Sequence, residues 1–164
     1  MGSCLIWTRK RFQEPLICPQ LSLVNWTGNL IEGNVGDFPQ IDFRLQLSEA
    51  LPVALNGQYW TVDGSAKSTG FDTDFFKKLI TPITIPAGTR EVSIFVTVVG
   101  DNIGPAGTDV ANENFFLDFT LLTNTAAPTF PYSVTLVGPE PNGDLRSSGW
   151  ITDDDQEPGD GPDD

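Results

Sequence analysis

Three stretches of the chain alternate apolar and polar residues with the two-residue period of a half-buried β-strand. Ile41, Phe43, Leu45 and Leu47 alternate with Asp42, Arg44 and Gln46. From Glu91 to Val99, the inward set is Val92, Ile94, Val96 and Val98. Phe115, Leu117, Phe119 and Leu121 alternate with Phe116, Asp118 and Thr120. Weaker signals predict strands over Gln20 to Trp26 and Val53 to Val62, and an extra one over Tyr132 to Val137. Ile80, Ile83 and Ile85, broken by Pro82, read as a short edge strand. Gly149 to Thr152 reads as the last strand. Turn signals stand between them at Asp63-Gly64, Pro86-Ala87-Gly88 and Gly100-Asp101-Asn102. Residues 64–78 read as a polar, irregular connection and 123–147 as a loop-like insertion. Six to eight short strands with turns between them predict an all-β fold, an antiparallel β-sandwich.

Composition narrows the chemistry. The 164 residues are enough for one domain with a real core, and the 11 Phe and 4 Trp supply its bulk. The domain is expected over residues 20–155, after an irregular leader (1–19) and before a Gly/Pro/Asp-rich tail (156–164). The formal charge is −13, and removing the seven acids of residues 153–164 leaves −6. An acidic body repels phosphate backbones, which argues against nucleic acid and favours cations or basic partners. The absence of histidine removes the commonest general base and the commonest transition-metal ligand. Cys4 and Cys18 stand without a second pair, which disfavours zinc. They leave two readings, one disulfide in an oxidising compartment or two free thiols in an irregular terminus. No run of ~20 apolar residues spans a membrane. Asn25-Trp26-Thr27 fits a glycosylation sequon, a short and weakly specific match.

The acids cluster at strand ends. Glu32 lies in an early connection, Asp72 and Asp74 in the long polar loop, and Asp101 past the end of the Val-rich strand. Asp109 and Glu113 precede the next strand, and Asp153, Asp154 and Asp155 follow the last one. Alternate connections of an antiparallel sandwich gather at one end, so these loops are expected to converge. Adjacent carboxylates repel unless a cation neutralises them, and calcium takes ~6–8 oxygens from flexible loops. The bland alternatives are a solvated acidic tail at 153–155, turn caps at Asp63 and Asp101, and exposed strand-end charges at Glu32 and Glu113.

Seven short motifs fall in an order that resembles the Calx-beta domain. They are Glu32-Gly33-Asn34, Thr61-Val62-Asp63-Gly64-Ser65-Ala66, Asp72 and Asp74-Phe75 after Gly70, and Ile85-Pro86-Ala87-Gly88-Thr89. Val98-Val99-Gly100-Asp101, Glu113-Asn114-Phe115 and Ile151-Thr152-Asp153-Asp154-Asp155 complete the set. The resemblance covers roughly residues 20–155. It implies an immunoglobulin-like sandwich of about seven strands whose distal loops bind Ca2+. By position it implies ligands at Glu32, Asp74, Asp101, Glu113 and the run Asp153 to Asp155. Asp72 is a substitute for Asp74 in a loop longer than the family's. Asp109 stands beside Val110, where the family has a second glutamate. Gly100 occupies a position where some members carry an acid, and 123–147 has no family counterpart.

The reading that follows is a non-enzymatic calcium-binding module, with the ion stiffening one tip for interaction or cell communication. The alternative is a structural or adhesion module of a surface protein in which calcium is weak or absent. Neighbouring domains or surface proteins are the expected partners, and an extracellular or membrane-associated site is the expected location. An enzyme would have to rely on a carboxylate pair, and no aromatic-lined cleft for a glycan is legible.

Overall fold

Burial in the 40–47 segment follows the alternation read from its sequence. Ile41, Phe43, Leu45 and Leu47 are buried, and the residues between them face outward. The computed structural model describes residues 18–70, 73–101, 112–122 and 134–152. Nine strands occur among them: β1 (Gln20–Asn25), β2 (Asn29–Ile31), β3 (Gln40–Leu47), β4 (Leu55–Asp63), β5 (Thr81–Ile85), β6 (Glu91–Thr97), β7 (Glu113–Leu122), β8 (Thr135–Leu136) and β9 (Leu145–Thr152). One sheet has the order β6-β3-β1-β8 and the other β2-β9-β7-β4-β5. The two form an all-β sandwich whose inward faces make the core. As the interrupted Ile/Pro pattern predicts, β5 is an edge strand, paired with β4 alone.

The core is built on aromatic rings from both sheets and from one loop. Phe43, Phe75, Phe115 and Phe119 are all buried. Phe75 stacks on Phe115 with centroids 4.3 Å apart, and Phe43 meets Phe115 edge-on at 5.9 Å. Gly149 in β9 makes room for this cluster, since a Cβ there would lie 2.6 Å from the Phe115 ring. That is why β9 carries a glycine opposite Phe115, its register partner.

Three features differ from the sequence expectation of about seven antiparallel strands. First, the link around residue 30 contains β2, which pairs in parallel with the end of β9. The chain leaves β1 through Gly28, at φ +78°, and crosses from one sheet to the other within three residues. Second, β8 reduces the extra strand expected at 132–137 to two described residues, paired in parallel with β1. Third, β9 starts at Leu145, within the segment read as an insertion. Arg146-Ser147-Ser148-Gly149 has weak strand propensity, so tertiary pairing with β7 sets its conformation.

Asp118 also departs from its polar, outward assignment, being only 4% exposed. Arg146, its register partner on β9, donates to both carboxylate oxygens, at 2.6 and 2.7 Å. The same guanidinium lies 4.9 Å from the Phe116 ring centroid. Bonding to Asp118 is the main reason the Arg146 pKa lies above its ordinary value. Cys18 is disulfide-bonded, and Cys4 lies outside the described residues. Pro19, assigned to the leader, joins the fold, its carbonyl accepting from Thr135 N–H at 2.9 Å.

Candidate metal centre

Strand order decides which acids approach one another. β9 runs between β2 and β7 and ends at Thr152, whose carbonyl accepts from Glu32 N–H at 3.1 Å. Across the other edge of β9, Glu113 opens β7 in register with Ile151. Glu32 and Glu113 therefore flank the end of the last strand. Both are buried, at 3% and 8% exposure, and not the exposed strand-end charges of the bland reading. The end itself is tied down, with Thr152 Oγ1 accepting from Asn29 Nδ2 at 2.6 Å and donating to Asn112 Oδ1 at 3.0 Å.

The other two described acids reach this tip from the loops. Asp74 precedes Phe75, whose burial in the core fixes the backbone there. Its carbonyl accepts from Val99 N–H at 2.9 Å, which sets it beside the segment after β6. Its carboxylate accepts from the Lys67 N–H, so it also closes the 67–74 loop. Asp74 is 3% exposed. Asp101 follows Gly100, which packs on the loop after β2: a Cβ at Gly100 would lie 2.6–2.8 Å from the carbonyl oxygens of Asn34, Glu32 and Gly33. A side chain at 100, acidic or not, is sterically excluded. Asp63 fits its bland reading, its carboxylate accepting from Ser68 Oγ at 2.7 Å.

Glu32, Asp74, Asp101 and Glu113 thus come from four chain segments that meet at one end of the sandwich. Asp72, Asp109, Asp153, Asp154 and Asp155 lie outside the described residues. Among the described residues no three acids are close enough to hold a metal ion together. The donors that the described tip offers are carboxylate, hydroxyl and carbonyl oxygens, without imidazole or thiolate. That donor chemistry fits a hard cation such as calcium and disfavours zinc.

Sequence reasoning missed the residues that shape the tip. Asp37 closes a tight turn, its N–H donating to Asn34 O at 2.9 Å and its Oδ2 accepting from Asn34 N–H at 3.1 Å. The Asn/Asp spacing of three across a Gly-rich segment is the signal that would have found it. Asn114 locks the end of β4, accepting from Ser65 Oγ at 3.0 Å and donating its N–H back to that oxygen at 2.8 Å. No helix among the described residues is long and apolar enough to cross a membrane.

The chain matches no family model and no curated protein sequence. It is similar to solved structures. The apo-form Calx CBD1 domain aligns with 17% identity and a TM-score of 0.54, over 85% of this chain and all of that one. CBD12 from CALX1.2 aligns with 18% identity and a TM-score of 0.51, over 82% of this chain and 44% of that one. At such identities the likeness speaks for the fold, and the chain is an immunoglobulin-like β-sandwich similar in architecture to the Calx CBD domains.

Proposed function

We propose that this chain is a calcium-binding β-sandwich module, with the ion held at the tip where β9 ends. The observation that carries the reading is the burial of Glu32, Asp74 and Glu113 on segments that meet there. Buried carboxylates drawn to one end repel each other, and a divalent cation with oxygen ligands removes that repulsion. Glu32, Asp74, Asp101 and Glu113 supply the walls. Asp153, Asp154 and Asp155, which follow β9 in the sequence, and Asp72 and Asp109 complete the proposed ligand set. When bound, calcium supplies charge neutralisation and cross-links the loops. The chain's own contribution is to hold the strand ends in register so that the loops close around a preset position. Such a module serves interaction with neighbouring domains or surface proteins, in an extracellular or membrane-associated setting. Its affinity belongs in the ~10⁻⁴–10⁻³ M range of extracellular modules, since the acids are fewer than a full cluster requires.

A structural or adhesion module with weak or absent calcium is the second reading. The observation favouring it is that the four described acids do not by themselves make a three-acid group.

Thermal unfolding in chelator, in calcium and in magnesium separates the two. Calcium at about ten times Kd stabilises the folded state by ~1.4 kcal/mol, a rise of roughly 3–6 °C for a domain of this size. The calcium reading expects that rise with calcium alone and its loss in Asp153→Asn. Equal midpoints in all three conditions would leave the structural reading.

A further inference from the structure

Beside the acidic tip the surface turns apolar. Ile31, Val35, Phe38 and Phe76 are 50–67% exposed. Three of them form one patch: Ile31 and Phe38 line the same groove, with a cavity of about 300 Å³, and Phe38 stacks on Phe76 at 5.9 Å. Val35 sits in the turn between them. Phe76 follows the buried Phe75, so the chain directs one ring inward and the next outward. Its N–H donates to Thr97 O at 2.9 Å, holding that outward ring against the tip. Exposed apolar clusters of this kind mark contact surfaces in soluble domains.

Asp37 is the exposed acid of the groove wall, which Gly33, Pro39 and the buried Glu32 complete. Its floor is preset. The 34–37 turn is closed by the two Asn34–Asp37 hydrogen bonds, and Val98 N–H donates to Pro39 O at 2.8 Å. A preset groove avoids the entropy cost of ordering a loop on binding. Apolar rings beside the exposed Asp37 carboxylate, on a body of net negative charge, complement a ligand that presents a cation near a large apolar side chain.

We infer that this groove docks an extended segment of a partner protein in which an Arg or Lys stands two residues from a Phe or Leu, so that both side chains face the groove. The apolar side chain lies against Phe38 and Phe76, and the cation faces the Asp37 carboxylate. An anionic membrane is disfavoured, because the Asp37 carboxylate and the net negative body repel its headgroups. The inference does not rest on the calcium reading, since Asp37, Phe38 and Phe76 are outside the nine candidate ligands and the test is run in chelator.

The probe is a labelled synthetic peptide in which Arg and Phe or Leu occupy alternate positions of one face, two residues apart, with Ser between them, titrated by fluorescence anisotropy against the whole chain in EGTA. Two control peptides carry Glu in place of Arg, or Ser in place of Phe and Leu. The expected affinity is about 10–100 μM, at least ~10-fold weaker for either control. Phe38→Ser with Phe76→Ser leaves the net charge unchanged and is expected to weaken binding at least ~10-fold, which diffuse charge attraction does not explain. Asp37→Asn keeps the acceptor for Asn34 N–H and is expected to weaken binding several-fold. Circular dichroism melts check that each variant is folded, as both rings are already half exposed. Equal binding of the double Phe variant, equal binding of the Ser control, or no binding by the wild-type chain overturns the proposal. So does binding to phosphatidylserine vesicles, with or without calcium, in place of the peptide.

Discussion

Replacing Arg146 by Met should unfold the protein more readily than replacing its partner Asp118 by Asn. The two side chains form a bidentate pair at 2.6 and 2.7 Å across β7 and β9. They are unequally placed, with the Asp118 side chain 6% exposed and that of Arg146 34% exposed. Removing the arginine strands a carboxylate in a nearly dry site, while removing the carboxylate leaves a guanidinium that water still reaches. Breaking a fully buried pair costs ~3–5 kcal/mol. Exposure of the arginine screens part of that, which lowers the figure to ~2–3 kcal/mol. Loss of the contact with the Phe116 ring adds ~0.5 kcal/mol. Arg146→Met should therefore cost ~3 kcal/mol, and Asp118→Asn, which keeps one acceptor, ~1–2 kcal/mol. The double change Asp118→Leu with Arg146→Met should recover most of the loss, because an apolar pair has no charge to desolvate. Urea unfolding followed by tryptophan fluorescence gives all three values. In a thermal scan the Arg146→Met change corresponds to roughly 6–12 °C. An Arg146→Met cost below ~1 kcal/mol, or one smaller than that of Asp118→Asn, would refute the argument.

Gly100→Ala forces a Cβ to within 2.6–2.8 Å of three backbone carbonyl oxygens. It should cost ~1–3 kcal/mol in urea unfolding and weaken any calcium-induced rise in melting temperature. Phe115→Ala removes the ring on which Phe43 and Phe75 pack, for an expected loss of ~3–5 kcal/mol. A loss below ~1.5 kcal/mol would mean that the core collapses around the gap. Asn25→Ala should cost ~1–2 kcal/mol, since Asn25 Nδ2 donates to Gly28 O at 2.8 Å and to Ser148 O at 3.0 Å. A glycan on the Asn25 sequon would compete with those bonds, so Thr27→Ala, which removes the sequon and leaves the Asn25 amide intact, should shift the melting temperature of protein glycosylated there upward relative to the shift it causes in unglycosylated protein.

Sequence pattern was informative where one face of a strand meets the core. Phe43, Ile94 and Phe119 announce their burial through neighbours two residues away, a signal local enough to read. Pairings set by distant segments were opaque. Nothing in Asn29–Ile31 indicates a parallel partner at Trp150–Thr152, more than a hundred residues later. Asp118 looked like an outward polar residue because its compensating arginine lies 28 positions on, in a segment with weak strand propensity. At the tip, the acids were legible as residue types and as strand-end positions. Their burial was not, because it follows from sheet order, which places β9 between β2 and β7. The turn built by Asn34 and Asp37 and the close approach at Gly100 depend on backbone geometry that residue counts do not encode.

The parallel pairing of β2 with β9 has a mechanical consequence. β1 begins at the pole opposite the tip, whereas β9 ends at the tip, so the chain enters and leaves the fold at opposite poles. Tension applied between Cys18 and Thr152 draws β2 one way and β9 the other, along their own axes. The hydrogen bonds of a parallel ladder lie across that direction and are evenly spaced. They carry the load together and fail together, unlike an antiparallel hairpin pulled open from one end. From the Thr152 end the load falls directly on the β2–β9 ladder, whereas from the Cys18 end it reaches β2 only after β1 and its pairings with β3 and β8. The rupture rate of these ladders, and not the equilibrium stability of the core, governs the force that the domain withstands.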